Sequence, residues 1–377
     1  MRLVVGAGLL LLALTAARAG GDPAPPQVSQ AAKQSKSKWS VAVGLERRHD
    51  DNILELTPHE IDRLQNNPRP GRFLITTPDD DVNIARGDLR WHTRWLPRRE
   101  TKLTASADIY RYQTNDVKNW EQYSGSIEQE LTATRHHLAT LQLSGTLTPD
   151  FYLRQLTDAD ASSVAGRRIR NPLSYQETRF GLRYHQEIIE DRLAALLGLE
   201  RIHRDYNDDF NERDNDNDQW RFVVETHPLA HWRLELDVVY LAGTLDARGD
   251  LPTSEIIDRD ISYRHHGLGG ELTLPWGRGK SRGRLEIGWQ PQTRRYTTAD
   301  QFDISRYKRT NDRHEKSIKV TQHLWGPLDL IASAYRVSSD ASFDSGIELD
   351  EDTTDFTQNR YGLMLRAQFG GFRRSAD

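Results

Sequence analysis

Arg86, Asp88, Arg90, His92 and Arg94 take every second position of DVNIARGDLRWHTRWL, while Leu89, Trp91 and Trp95 fall on the alternates. Guanidinium, carboxylate and imidazole groups in such a row make a fixed-charge surface that can sort solutes by sign and size. They can also neutralise one another, for example Arg90 or Arg94 with Asp108 on a neighbouring segment. The same spacing recurs at Glu128 and Glu130, at Arg179 and Arg183, and at Arg233, Glu235 and Asp237. Covalent chemistry has little to work with. The chain holds no cysteine, and no Ser, His and acidic group share a spacing that singles out a nucleophile. We expect no enzyme, no cofactor and no metal site; hydrolysis at a rim is the minor alternative.

Only a β-strand sends alternate side chains to opposite faces. In HWRLELDVVY, residues 231–240, Trp232, Leu234, Leu236, Val238 and Tyr240 share one parity, and Arg233, Glu235 and Asp237 share the other. Fourteen such segments run between Trp39 and Phe369, and no long stretch has a helical period. Their connections alternate in length. Long ones at 48–81, 113–122, 149–174, 204–219, 243–260, 291–316 and 338–360 are separated by short ones such as RHH, EIIED, HPLAH and WGP. An even strand number with long loops at one end and short turns at the other describes a closed, antiparallel up-and-down barrel that is oily outside and wet inside. Sandwiches and propellers have no cause to alternate loop lengths in this way.

Composition agrees with that reading. The formal charge of −4 argues against a nucleic-acid partner, whose footprint is basic. A mean hydropathy of −0.74 leaves no helical membrane span after the first residues, but a barrel needs apolar residues only at alternate positions. The opening MRLVVGAGLLLLALTAARA reads as a signal peptide over 1–19. Residues 20–38, rich in Pro, Ser, Gln and Lys, read as a disordered lead-in. The barrel is expected over 39–372, with 373–377 as a tail.

Trp and Tyr collect where amphipathic rings meet both oil and water. The short-turn belt is expected at Trp39, Trp95, Tyr184, Trp232, Trp276, Trp325 and Phe369. A long-loop belt is expected at Tyr112, Trp120, Tyr123, Tyr175, Trp220, Tyr240, Tyr263 and Tyr361. Two places resist the pattern: the parity of ISYRHHGLGGELTLPW changes near GLGG, suggesting a glycine bulge, and Leu328 to Val337 has no clear face.

The loops carry further signals. In LTPHEIDRLQNNPRPG, Thr57 and Glu60 have the spacing of a capping box and Pro58 suits a first helical turn. This short helix either packs over the rim or folds inward as a constriction. Asp214, Asp216, Asp218 and Glu225 have calcium-loop spacing, but Gln219 replaces the required glycine, so a solvated acidic face is the default. Arg248-Gly249-Asp250 is an adhesion-type tripeptide of low specificity. His265 and His266 fall on opposite faces of one segment.

By this pattern the chain resembles Gram-negative outer-membrane β-barrels. GLERRHDDNILEL, through Asp50, Asp51, Asn52 and Ile53, resembles the first strand and loop of barrel porins, and NRYGLMLRAQF resembles the terminal strand read by the barrel-assembly machinery. The chain departs from that pattern in continuing with GGFRRSAD past Phe369. More distantly, similar barrels serve polysaccharide-export and lipoprotein-display factors. The resemblance implies an outer-membrane location with long loops outside and both termini in the periplasm, and lipid and lipopolysaccharide as surroundings. It also implies a pore for small polar solutes or for export of a polysaccharide. The alternative is a filled barrel that binds or adheres through its long loops.

Overall fold

The computed structural model describes residues 38–66, 73–96, 99–133, 138–157, 170–229, 234–247, 261–277, 282–298, 306–344 and 355–370. The expected signal peptide and tail, Trp232, Arg233 and the Arg248-Gly249-Asp250 tripeptide lie outside the described residues. The strands are β1 (Lys38–Asp50), β2 (Asp80–Leu96), β3 (Arg99–Tyr112), β4 (Trp120–Ala133), β5 (Leu138–Thr157), β6 (Arg170–Ile189) and β7 (Leu193–Tyr206). The second half continues with β8 (Asn215–Leu229), β9 (Leu234–Ala247), β10 (Tyr263–Trp276), β11 (Gly283–Tyr296), β12 (Arg309–His323), β13 (Leu328–Phe343) and β14 (Phe356–Gly370). Each pairs antiparallel with its sequence neighbours, and β1 pairs with β14 to close the ring. The fold is a closed up-and-down barrel of fourteen strands, the number and class that the alternation predicts.

Register fixes two faces. On β1 the odd positions Trp39, Val43 and Leu45 point outward, while Ser40, Ala42, Glu46 and Asp50 are buried on the inside. Pairing carries the same sides around the ring. Leu45 at 72 % exposure, Phe180 at 64 %, Leu268 at 58 %, Leu363 at 55 % and Leu143 at 54 % touch almost no protein. Water would penalise so large an apolar exterior; lipid is the solvent that suits it. The short turns meet ordinary local demands. In Trp325-Gly326-Pro327 the turn is closed by the Leu328 N–H donating to the Trp325 carbonyl at 3.0 Å, with Gly326 at φ +57°, a conformation glycine adopts without steric cost.

Several strands run to 14–20 residues, whereas about 9–11 tilted residues cross the hydrocarbon. The surplus projects at the long-loop end, where β5 reaches Thr157 and β8 begins at Asn215, inside segments that read as loop from sequence alone.

The expected bulge at GLGG is absent. β10 keeps one register against β9 from Tyr263↔Leu245 to Thr273↔Glu235. Glycine serves close approach instead: a Cβ on Gly267 would lie 1.9 Å from the Pro291 carbonyl oxygen, and one on Gly269 would lie 2.4 Å from that of Trp289. The strand passes there without changing parity. Leu328 to Val337 does have a face. Leu328, Leu330, Ala332 and Ala334 point out, but Ile331 and Val337 are buried inside, so apolar residues on both sides blur the alternation.

Candidate functional site

The inner wall is ionic. Arg86, Asp88, Arg90, His92 and Arg94 share the inward parity of β2, opposite Asp108, Ser106, Thr104 and Lys102 of β3. Glu128 and Glu130 are inward on β4, Arg179 and Arg183 on β6, and Glu235 and Asp237 on β9. Register selects the pairings: Asp108 faces Arg86, at 3.8 Å, rather than Arg90 or Arg94. Arg86 also reaches Glu46 at 2.9 Å, Lys102 reaches Glu128 at 2.6 Å, Arg204 reaches Glu177 at 2.7 Å, and Lys319 reaches Glu286 at 3.0 Å. His92 pairs with Glu100. All of these join neighbouring strands and so run along the wall.

Among the expected belt residues, Trp39, Trp95, Trp276, Phe369, Trp220 and Tyr361 lie on the exposed outer surface, and Tyr240 packs beside Trp220 with ring centroids 5.2 Å apart. Tyr112, Trp120, Tyr175 and Tyr263 do not join them. They point inward, because at the long-loop end the two faces exchange character. The outer surface there carries Arg47 bonded to Asp81 at 2.6 Å, Arg201 to Asp216 at 2.7 Å, and Arg111 to Glu121. The inner surface carries a continuous aromatic row. Tyr110 stacks on Trp120 at 3.8 Å, and Trp120, Phe151, Tyr175 and Tyr206 follow at 5.3–5.4 Å spacing.

Beside that row, Tyr112 and Tyr152 give the β1–β2 connection a floor. Asp50, Asp51 and Asn52 are its anchor. The Asp51 carboxylate accepts from the Asn359 backbone N–H at 2.6 Å, and the Asp50 carboxylate from the Gln358 amide at 2.9 Å. Asn52 is 1 % exposed; its amide donates to the Leu56 carbonyl at 2.8 Å and its Oδ1 accepts from the Leu56 N–H at 2.7 Å. This closes a tight turn that drives the chain inward. Ile53, Leu54 and Leu56 then pack with Leu64, Ile75 and Tyr152, with Tyr112 and Val117 against them. Helix α1 (Pro58–Asn66) follows, started by the expected capping box: the Glu60 N–H donates to Thr57 Oγ1 and the Thr57 N–H to Glu60 Oε2, both at 3.2 Å.

The turn before α1 braces two opposite walls. On β5, Arg154 donates to the Leu54 carbonyl at 3.5 Å and approaches Glu60 at 3.8 Å. On β12, Arg313 donates to both oxygens of Glu55, at 3.1 and 3.4 Å. β5 and β12 stand seven places apart in a ring of fourteen, so the segment spans the mouth. The helix itself lies toward the rim beside Asp340, Asp355 and Phe356. Of the two expectations for the helix, the rim describes it; the turn that precedes it is the part that reaches both walls.

The β3–β4 connection closes over the same floor. Lys118, 4 % exposed, donates to the Tyr152 carbonyl at 2.7 Å and sits 4.3 Å from the Phe151 ring centroid. Burial pushes its ammonium down to about 8. The acidic run with calcium-loop spacing forms no loop: Asp216 and Asp218 share the outer face of β8 near Arg201, and Asp214 accepts from the Tyr206 N–H. Glu55, Arg154, Arg313 and Tyr110 escape a reading by alternation. The one cue for Glu55 is a single carboxylate set between leucines in NILEL.

No family model matches the sequence, and no curated protein matches it. Solved structures are similar in outline. A bacterial polysaccharide outer membrane secretin is 9 % identical over 87 % of this chain and 98 % of its own, with a TM-score of 0.39. An anion-selective porin from Comamonas acidovorans is 10 % identical over 89 % and 99 %, at 0.41. The outer membrane channel DcaP of Acinetobacter baumannii is 11 % identical over 89 % and 99 %, at 0.40. Values this low say nothing about what passes through this barrel; its strand number and faces rest on its own register.

Proposed function

We propose that this protein is an outer-membrane pore for the passive passage of small polar solutes, with its long loops outside the cell and both termini in the periplasm. The observation that carries the reading is the direction of the ion pairs. Along the wall the pairs named above join neighbouring strands and Arg366 reaches Asp88 over one strand at 3.3 Å, while the pairs across the mouth run through Glu55 and Glu60 of the β1–β2 segment; a filled barrel would pair its wall charges directly from side to side. The apolar exterior supplies the lipid contact. The braced β1–β2 turn supplies a constriction at the mouth, which favours small solutes over a polymer in transit.

The test is single-channel recording from the purified barrel in planar bilayers. Steady conductance steps are expected, and replacing residues 55–66 by a short Gly-Ser linker raises their size about twofold or more, since the narrowest section limits current. Arg90→Glu or Glu128→Lys shifts ion preference toward the sign of the new charge. A folded barrel that never conducts overturns the pore and leaves a surface-binding barrel.

A further inference from the structure

Glu55 is the one charged side chain in a turn otherwise built from apolar contacts. Leu54 and Leu56 beside it are buried, at 5 % and 2 % exposure, and its own backbone sits at φ +52°. Non-glycine residues hold that conformation only where their surroundings impose it, and such residues gather at switches and ligand clamps. Here the Asn52–Leu56 hydrogen bonds impose it, with the Glu55 N–H donating to the Asn52 carbonyl at 3.1 Å, and the side chain so presented is gripped by Arg313 at both carboxylate oxygens, at 3.1 and 3.4 Å, while Arg313 Nε donates to Glu315 at 3.2 Å. That two-point grip is the geometry guanidinium groups use for carboxylates.

Arg313 is not alone. Arg294 on β11 and Arg360 on β14 add their charges at Glu55. Each of the three lies over a ring: Arg313 over Phe356 at 5.7 Å, Arg294 over Tyr263 at 5.3 Å and Arg360 over Tyr335 at 5.7 Å. Ring packing preorganises the cations and lowers the cost of orienting them toward an anion. Burial alone would push the Glu55 carboxyl up, but Arg313, Arg294 and Arg360 together hold it below its usual range. Even so, the Glu55 side chain is 40 % exposed, so a solute in the mouth can reach the contact.

We propose that Arg313, Arg294 and Arg360 form a binding site for small organic carboxylates on the inner wall of the mouth, and that Glu55 fills it as a tethered competitor which an arriving carboxylate displaces. The proposal rests on the pore reading for its route of access. The ligand class follows from the present occupant: the group seated on the guanidinium is itself a carboxylate.

A tethered competitor lowers apparent affinity by the fraction of time it leaves the site vacant. The experiment uses the full barrel, succinate as probe, and chloride or phosphate at equal ionic strength as controls. Half-block of the single-channel current by succinate is expected at about tenfold lower concentration in Glu55→Gln than in the parent. Block is expected to vanish in Arg313→Gln and to recover only in part in Arg313→Lys, which lacks the planar fork. Arg294→Gln weakens block without touching the Glu55 hydrogen bonds, so the site stays testable if Arg313→Gln does not fold. Unchanged block in Glu55→Gln, undiminished block in folded Arg313→Gln, or equal block by chloride overturns the proposal. Calorimetric titration of succinate into detergent-solubilised barrel separates the two readings. If no variant conducts, the pore fails; binding that tightens in Glu55→Gln still supports the site, and absence of binding there removes it.

Discussion

The two ends of the same strands obey opposite rules. Around the middle and the short turns, apolar side chains face out and charged ones face in, as at Leu89 beside Asp88 and Arg90 and at Leu182 beside Arg183. Toward the long loops the charged pairs Arg47–Asp81 and Arg111–Glu121 face out, and the row from Tyr110 to Tyr206 faces in. The cause is the partner each surface meets. On the outer-membrane reading proposed above, lipid touches the first region, whereas the second stands in water and covers the folded β1–β2 turn. Parity is a property of the strand; which parity is apolar is set by the surroundings.

The largest consequence concerns the lipid-facing band. Leu143→Arg should cost about 2–4 kcal/mol of folding stability in vesicles, the charge being stranded near the bilayer midplane. Urea unfolding of the reconstituted barrel, followed by heat-modifiable migration, measures it. Stability within error of the parent would mean that Leu143 does not meet hydrocarbon, and the two-region distinction would fail.

This contrast also explains what was legible in the sequence. Strand number, loop alternation and the inward parity of Arg86 to Arg94 were readable because lipid punishes any exception. Tyr112, Trp120, Tyr175 and Tyr263 were misplaced for the complementary reason: above the bilayer no solvent enforces the rule, and an aromatic near a strand end looks alike whether it faces lipid or a packed loop. Capping of α1 was local, through Thr57 and Glu60 alone, and so was visible. The brace was not visible, because Glu55 and Arg313 are 258 residues apart and Arg313 lies in RTNDRHEKS, which has no apolar alternation to mark a strand.

The next effect belongs to the mouth and depends on pH. Lys118 has its ammonium depressed to about 8 from 10.5 by burial, so between those values the unfolded segment binds more protons than the packed one. Packing of the mouth therefore strengthens as pH rises from about 8 to about 10.5, by on the order of 3 kcal/mol at the upper end. Hydrogen exchange of the β3–β4 connection, corrected for intrinsic base catalysis, should slow over this window. Lys118→Met should remove the dependence. A parent protein with no pH dependence there would show that the ammonium is solvated, contrary to the packed floor.

Asn52→Ala acts on the same region from the other side. It leaves the buried Leu56 N–H and carbonyl without their side-chain partner and removes one donor to the Thr357 carbonyl of β14, at a cost of about 1–3 kcal/mol centred on the turn. Exchange at Leu56 should accelerate roughly ten- to hundredfold, with the urea midpoint of the barrel unchanged. A fall in that midpoint equal to the local loss would mean that the inward turn and the barrel unfold as one unit, and the mouth would not be a separable region.

The smallest effect draws the boundary between the regions. Arg111 and Glu121 pair on the outer surface, both substantially exposed, and an ion pair in water contributes little. If the rim stands clear of lipid, Arg111→Leu leaves the vesicle unfolding curve where it was. If hydrocarbon reaches that height, the same substitution removes a charge from lipid and the barrel becomes more stable, so the sign of the change locates the water line. Repeating the substitution at Arg201, and then introducing Leu199→Arg two positions nearer the short turns, brackets that line on a single strand. An unchanged midpoint at Arg201 with a loss at Leu199 puts the exchange of character between the two.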